Sequence, residues 1–330
     1  MIYIALIEGR FFGSGSTDWK SLDVKIMAAA LRDAGHDVAL VPIETLAARR
    51  FQKGDIVWYA AHHHPVIRQY VLDVIHFVSK RVTVTPSHDL LVCYENKGAQ
   101  ELLRAERDLP GLRGNYVYRE VKLPPPPYVL KSTRGAGSAS VFLIQTSADL
   151  TKVCRRVFRA SLFDRLKRLV RPFRLDVEDA HWYRLFRGPL GLAVAQPFVP
   201  NLTQDHKVLA FGRRFYVLTR RVRKGDFRAS GSGLFEWMPV ADDLLDYAEE
   251  MHRRFDAPYV SLDIVRTETG FETIEFQALN FGPLTLSGSN GWYERNIEER
   301  WEFKVGPSDI SVEAARAFLW RFPLPVGDNP

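Results

Sequence analysis

Between Tyr259 and Gln277 apolar and polar side chains alternate in two runs joined by a short polar break. Val260, Leu262 and Ile264 interleave with Ser261, Asp263 and Val265, and Ile274 and Phe276 interleave with Thr273, Glu275 and Gln277. A period of two puts alternate side chains on opposite faces of an extended strand, so the stretch predicts a β-hairpin with Asp263 and Glu275 on its more polar face. If Glu268, Thr269 and Gly270 form a three-residue loop, with Gly270 supplying the positive φ, Asp263 falls directly opposite Glu275. Facing carboxylates repel. Either the pair is a solvated surface feature, relieved by deleting one acid, or a cation sits there. Oxygen ligands from Asp, Glu and an amide suit Mg²⁺, which completes its shell with phosphates and water.

The first ninety residues alternate between strand and helix patterns. Strands are predicted at Ile2–Ile7, Asp37–Pro42, Asp55–Ala60 and Val82–Thr85, and helices at Trp19–Ala34, Ile43–Phe51 and Val66–Lys80, the first closed by Gly35. The result is a small parallel α/β unit. Its first loop, Gly9 to Gly15, is glycine-rich but lacks the G-x-G-x-x-G frame, which argues against a dinucleotide fingerprint and for a crevice wall. His62, His63 and His64 are consecutive and cannot all face one ion, so they read as a solvated turn.

From Leu91 the pattern changes. A short helix is expected at Gly98–Glu106, then a proline-rich connector at Pro124–Pro127, then the strand Tyr128–Lys131. Arg134, Gly135, Ala136, Gly137 and Ser138 follow, before a second apolar run at Val141–Ile144. Glycines there allow backbone N–H groups to approach an anion and Lys131 adds charge, as a phosphate lid requires; a plain hairpin fits the same pattern. No G-K-[ST] precedes a helix, so the loop is not a Walker A motif. Asp149–Leu169 reads as one helix with a basic, solvated face. Next come the strand end Gln196-Pro197-Phe198-Val199, the paired strands Asp205–Gly212 and Arg214–Arg221, a loop through Arg228 and Ser230, and an amphipathic helix at Asp242–Phe255. The Leu284–Trp301 tail shapes an acceptor pocket or is a surface loop plus helix.

Composition narrows the class without choosing a function. With 330 residues, 46% hydrophobic and 25% charged, the chain is an ordinary globular one with room for two or three compact units. No apolar run has the length of a membrane span, and Met1–Arg10 reads as a first strand and not as a signal peptide. Two distant cysteines, Cys93 and Cys154, suit a reducing, cytoplasmic setting. A net charge of +6 favours an anionic partner, and a nucleotide satisfies that as well as a nucleic acid. The basic Arg155–Arg174 stretch reads as a solvated helix face, with a nucleic-acid groove as the alternative.

Taken together, the run Thr219–Arg228, the spacing of Asp263, Glu275 and Gln277, and the order Lys97 then Lys131 resemble the ATP-grasp superfamily, and within it the carboxylate-amine ligases typified by ribosomal-protein glutamate ligases. The similarity spans about Leu91 to Gly282. It implies an α/β chain of α+β ATP-grasp type: a pre-ATP-grasp domain at 1–90, a lid subdomain with linker at 91–195, and a catalytic subdomain at 196–330. It also implies ATP and Mg²⁺, with Mn²⁺ as an alternative ion. Lys97, Lys131 and the lid residues 134–138 would contact phosphates, and Gln196, Pro197, Phe198 and Val199 the adenine. Asp205 would take the ribose, Arg228 and Ser230 the phosphate end, and Asp263, Glu275 and Gln277 the metal. Gln277 stands where the family usually has Asn; it keeps the amide oxygen but is one methylene longer.

The reaction implied is activation of a carboxylate as an acyl phosphate and its condensation with an amine, on small-molecule or peptide substrates. Arg228, and Arg220 or Arg221 holding the donor carboxylate, would be its catalytic cations. Two other readings remain open: a nucleotide-binding protein that has lost turnover, motivated by Gln277, and a ligase acting on a nucleic acid or nucleobase. Oligomeric state is open.

Overall fold

The computed structural model describes residues 1–13, 15, 20–133, 140–159, 166–167, 169–170, 172, 176–186 and 188–324. They form two compact units: Met1–Tyr94 with Arg107–Gly111 and Leu202–Pro330, and Glu95–Glu106 with Leu112–Asn201.

In the first unit, β1 (Ile2–Leu6), β2 (Val38–Pro42), β3 (Ile56–Tyr59) and β4 (Thr83–Thr85) make a parallel sheet in the order β2-β1-β3-β4. The helices α1 (Val24–Asp33), α2 (Pro65–Val78) and α3 (His88–Cys93) connect or flank it. Asp23 caps α1 by accepting from the backbone N–H of Lys25 and Ile26, which sets its start later than the apolar pattern suggests. Trp19, where that pattern begins, lies outside the described residues. Ile43–Phe51 shortens to a 3₁₀ turn, Ile43–Ala48, because Arg49 is already extended.

The same unit holds a seven-stranded sheet. Its order is β13-β12-β9-β10-β14-β15, with β11 paired to β10. The strands are β9 (Gln204–Phe211), β10 (Arg214–Arg221), β11 (Phe235–Glu236), β12 (Tyr259–Thr267), β13 (Gly270–Gln277), β14 (Gly291–Arg295) and β15 (Trp301–Val305), all antiparallel. β14 lies in the Leu284–Trp301 tail read as loop or pocket wall, where alternation is too brief to announce a strand, and β15 begins at that tail's last residue.

Alternation along these strands gives the sheet two different faces. One packs on the amphipathic α7 (Asp242–Phe255), with Phe255 against Phe276 at 4.5 Å between ring centroids. On the other, Leu209, Phe211, Tyr216 and Tyr259 join Ile4, Trp58, Met27 and Phe318 in one core. Each such large side chain contributes about 1.5–3 kcal/mol on burial. Trp58 Nε1 donates to Tyr259 Oη at 3.2 Å, tying the two sheets together. A short helix, α8 (Leu284–Ser287), and α9 (Ile310–Arg321) complete the unit; α9 packs on α1.

In the second unit, β5 (Asn115–Val117), β6 (Tyr128–Ser132), β7 (Val141–Ile144) and β8 (Ala193–Pro197) form an antiparallel sheet ordered β5-β8-β6-β7. Tyr128, Leu130, Ile144, Val153, Cys154, Phe158 and Ala195 are its core. The helices are α4 (Lys97–Glu106), α5 (Ser147–Val157) and α6 (Val177–Phe186). Thr146 and Asp149 form a reciprocal capping box at the start of α5. The single long helix expected to reach Leu169 ends at Val157: Phe158 is buried and Arg159 bridges to Leu190. Arg155 and Arg156 are exposed, as a solvated face requires. Both cysteines are buried and neither is in a disulfide. Among the described residues no helix is long and apolar enough to cross a membrane.

Candidate functional site

Asp263 of β12 stands directly opposite Glu275 of β13, with Ser261 opposite Gln277. The route to that register differs from the one expected. Thr267 pairs with Gly270, so the loop is the two residues Glu268 and Thr269, and an irregularity after Asp263 leaves Ile274 as the extra residue of β13. Gly270 does adopt a positive φ, 129°. Because the bulge shifts the alternation, Thr273 faces α7 and not the polar side. It is fully buried, and its N–H donates to Tyr247 Oη at 2.8 Å. Ile274 is half-buried.

On the polar side, strand pairing assembles a charge cluster from residues far apart in sequence. Asp205 lies opposite Arg220, and Lys207 opposite Asp263. Arg220 Nε donates to Asp205 Oδ1 at 2.6 Å and its Nη2 to Oδ2 at 2.8 Å. The same Nη2 reaches Asp263 Oδ2 at 3.0 Å, and Lys207 Nζ reaches Asp263 Oδ1 at 3.4 Å. Asp205 and Arg220 are buried, and the Asp263 side chain keeps 18% exposure. Gln277 Nε2 lies 3.4 Å from Glu275 Oε1, which puts that amide beside that carboxylate.

The two central acids titrate apart. Burial opposes ionisation of Asp263, but Arg220 and Lys207 overcome it and hold its carboxyl below the usual range. Asp205 is pushed up to about 6, by burial first and by Asp263's charge as a smaller cause, against the pull of Arg220. On the α7 side, burial and then the charges of Arg220 and Arg221 push His206 down to about 4.

The donor set is chemically right for a hard divalent ion: two carboxylates at opposed positions and an amide two residues along. Among the described residues no three His, Cys, Asp or Glu side chains converge as a metal site, so the fit rests on two acids plus Gln277. Asn280 lies past the end of β13 and is buried, with Nδ2 donating to Ala61 O and to Tyr94 Oη.

The other expected residues separate into groups. Arg221 lies on the opposite face from Arg220 and pairs with Glu236 and Gln204. Arg228 is gripped by Asp226 through Nε and Nη2, both at 3.0 Å, and hydrogen bonds from that arginine hold Asp226 down at about 2. Ser230 is half-buried nearby in the same loop. Asp205, expected on a ribose, gives both oxygens to Arg220.

In the second unit, Lys131 Nζ donates to Gln196 Oε1 at 2.6 Å, and Gln196 Nε2 donates to Leu112 O at 2.7 Å. Both side chains are buried at the β6–β8 pair. Lys97 opens α4, and its N–H donates to Thr133 O at 3.1 Å. Close packing explains the next residue: a Cβ on Gly98 would strike the Tyr116 ring. Pro197 is exposed, and Phe198 and Val199 are half-buried. Arg134, Gly135, Ala136, Gly137 and Ser138 lie outside the described residues.

Two charged residues with structural partners were not singled out from sequence. Lys207 shares a face with Asp205 by simple alternation, but its pairing with Asp263 is a long-range fact of the sheet. Glu101 is buried beside Arg104 and accepts from Gly114 N–H at 2.7 Å; burial raises its carboxyl above the ordinary range. Nothing in its local pattern separates it from a surface acid.

No protein-family model matches the chain, and no curated protein does. Solved structures do. A RimK domain ATP-grasp protein from Sphaerobacter thermophilus aligns at 15% identity and TM-score 0.51, covering 96% of this chain and 98% of that one. The D-cycloserine synthetase DcsG aligns at 14% and 0.54, covering 97% and 99%. The ATP-grasp ligase PsnB, complexed with a minimal precursor, aligns at 12% and 0.52, covering 97% and 98%. The fold is that of the ATP-grasp ligases.

Proposed function

We propose that this ATP-grasp chain is an ATP-dependent ligase that activates a carboxylate as an acyl phosphate and joins it to an amine, releasing ADP and phosphate. The observation that carries the reading is Asp263 opposite Glu275, with Gln277 beside Glu275 and the cations Arg220 and Lys207 adjoining Asp263. Bound Mg-ATP supplies the phosphoryl group that turns a poor leaving oxygen into a good one. Asp263, Glu275 and Gln277 hold the Mg²⁺, or Mn²⁺ in its place. Arg220, Lys207 and Arg228 offset the negative charge that gathers on the transferring group. Lys97 and Lys131 bind the phosphates, and the Gln196–Val199 segment frames the adenine with the apolar sides of Phe198 and Val199.

In this reading residues 1–90, 91–195 and 196–330 are the pre-ATP-grasp, lid and catalytic parts, and the protein works in the cytoplasm. The compared structures include a small-molecule synthetase and a ligase solved with a precursor, and the proposed substrates span that range, small acids and peptides alike. The test is incubation with Mg-ATP and pooled amino acids, small acids and peptides, followed by mass spectrometry for condensation products. ADP release that requires both a carboxylate and an amine supports a ligase. Nucleotide binding without turnover on any pool favours a scaffold, the reading motivated by Gln277.

A further inference from the structure

Asp263 is the central proposed metal ligand, yet both its oxygens already face cations. Nη2 of Arg220 lies 3.0 Å from Oδ2 and Nζ of Lys207 lies 3.4 Å from Oδ1. Among the described residues of this group the three acids Asp205, Asp263 and Glu275 outnumber the cations Arg220 and Lys207 by one, so a divalent ion leaves one surplus positive charge unless a cation withdraws or an anion arrives. The two ends of Arg220 are held unequally. Its bond to Asp205 is a two-point fork at 2.6 and 2.8 Å between buried side chains, whereas its hold on Asp263 is one longer contact to a side chain that is still partly exposed. A bidentate, buried pair is the stronger of the two.

We propose that Arg220 is a resident counter-cation that occupies the metal side of Asp263 and yields it when a metal-nucleotide binds, while remaining anchored on Asp205. Asp205 is then a positioning residue: it keeps the guanidinium next to the site after Asp263 is released, where the polyphosphate becomes its new partner. A consequence is selection for the metal-nucleotide over the bare ion. A bare cation must take Arg220's place on Asp263 and leaves the guanidinium with Asp205 alone, beside a second positive charge, whereas a metal bound to phosphates supplies a further anion to receive it. The inference rests on the assignment of Asp263 and Glu275 to a metal.

The test uses bare Mn²⁺ on the full chain without nucleotide, following the free-ion signal by electron paramagnetic resonance. Arg220→Met should tighten Mn²⁺ binding at least about tenfold, since a unit charge next to a ligand oxygen is removed from a partly buried site. Asp205→Asn combined with Arg220→Met should show a smaller gain of the same sign, because Asp205's charge is removed as well, and avoids leaving a buried acid unpaired if the single variant folds poorly. Arg220→Lys keeps the charge and should stay close to the parent, and Arg221→Met, on the opposite face, should not change the affinity. Unchanged or weaker Mn²⁺ binding in the Arg220→Met proteins, or an equal gain in Arg221→Met, overturns the proposal. Loss of the ligase reading shows up separately, as absent ADP release, and leaves the Mn²⁺ result standing.

Discussion

Replacing Asp263 by alanine separates two physical pictures by the sign of one number. From the hairpin alone, deleting one of two opposed acids relieves repulsion and stabilises the metal-free protein by up to about 1 kcal/mol. The sheet reverses that expectation, because Asp263 has Arg220 at 3.0 Å and Lys207 at 3.4 Å. A charge-assisted bond in a mostly buried setting is worth about 1.5–3 kcal/mol, and the longer lysine contact adds little. Arg220 keeps its fork on Asp205, so its charge is not orphaned and the larger penalty of a stranded ion does not apply. Asp263→Ala should therefore lose about 2 kcal/mol. The folded-state value of Asp263 is depressed, so its stabilisation is complete above the unfolded carboxylate range, near pH 4, and is lost only as pH falls through the depressed value. Urea unfolding at neutral pH with chelator present, followed by tryptophan fluorescence, reads the full effect. A variant as stable as the parent, or more stable, would show that repulsion from Glu275 governs the site and that the cations of β9 and β10 do not matter.

Other consequences can be measured alongside. His252 is buried, with burial pushing it down to about 4, and His206 behaves alike, so both are neutral when folded. As pH drops from about 6.5 towards 4 the unfolded chain takes up protons that these rings refuse. Each histidine should then cost about 1.4 kcal/mol per unit, offset below about pH 6 by proton uptake on the raised carboxyls of Asp205 and Glu101, so the effect is read by comparison: His252→Gln should lose less stability than the parent over that window, and an identical pH dependence in the two proteins would contradict it. Gly98→Ala should destabilise by about 1–3 kcal/mol through collision with Tyr116, and Tyr116→Leu should recover part of the loss; a neutral Gly98→Ala would refute the packing argument. Lys131→Met removes the donor to Gln196 and should weaken nucleotide binding; an unchanged nucleotide dissociation constant would take Lys131 out of the phosphate site.

What the sequence made legible was local. The Tyr259–Gln277 hairpin, its opposed acids and the β10 and α7 boundaries follow from alternation and amphipathic period, and they appear where those patterns put them. The bulge at Ile274 was not legible, since the same register results from a three-residue loop or from a two-residue loop plus one extra residue; only the side on which Thr273 lies distinguishes them. Lys207 and Asp205 could be read as strand residues, but their meeting with Asp263 and Arg220 depends on β9 pairing with both β10 and β12, a choice that no local pattern encodes.

The central claim is that the β12–β13 acids hold a divalent ion on a nucleotide's phosphates, and calorimetric titration with a non-hydrolysable ATP analogue, with Mg²⁺ and with chelator, tests it most directly. The parent should bind at least about tenfold tighter with Mg²⁺, a difference of about 1.4 kcal/mol, and Glu275→Ala should lose that gain while still binding weakly. If Glu275→Ala keeps the full Mg²⁺ dependence, the ion is held elsewhere and the proposed site is wrong.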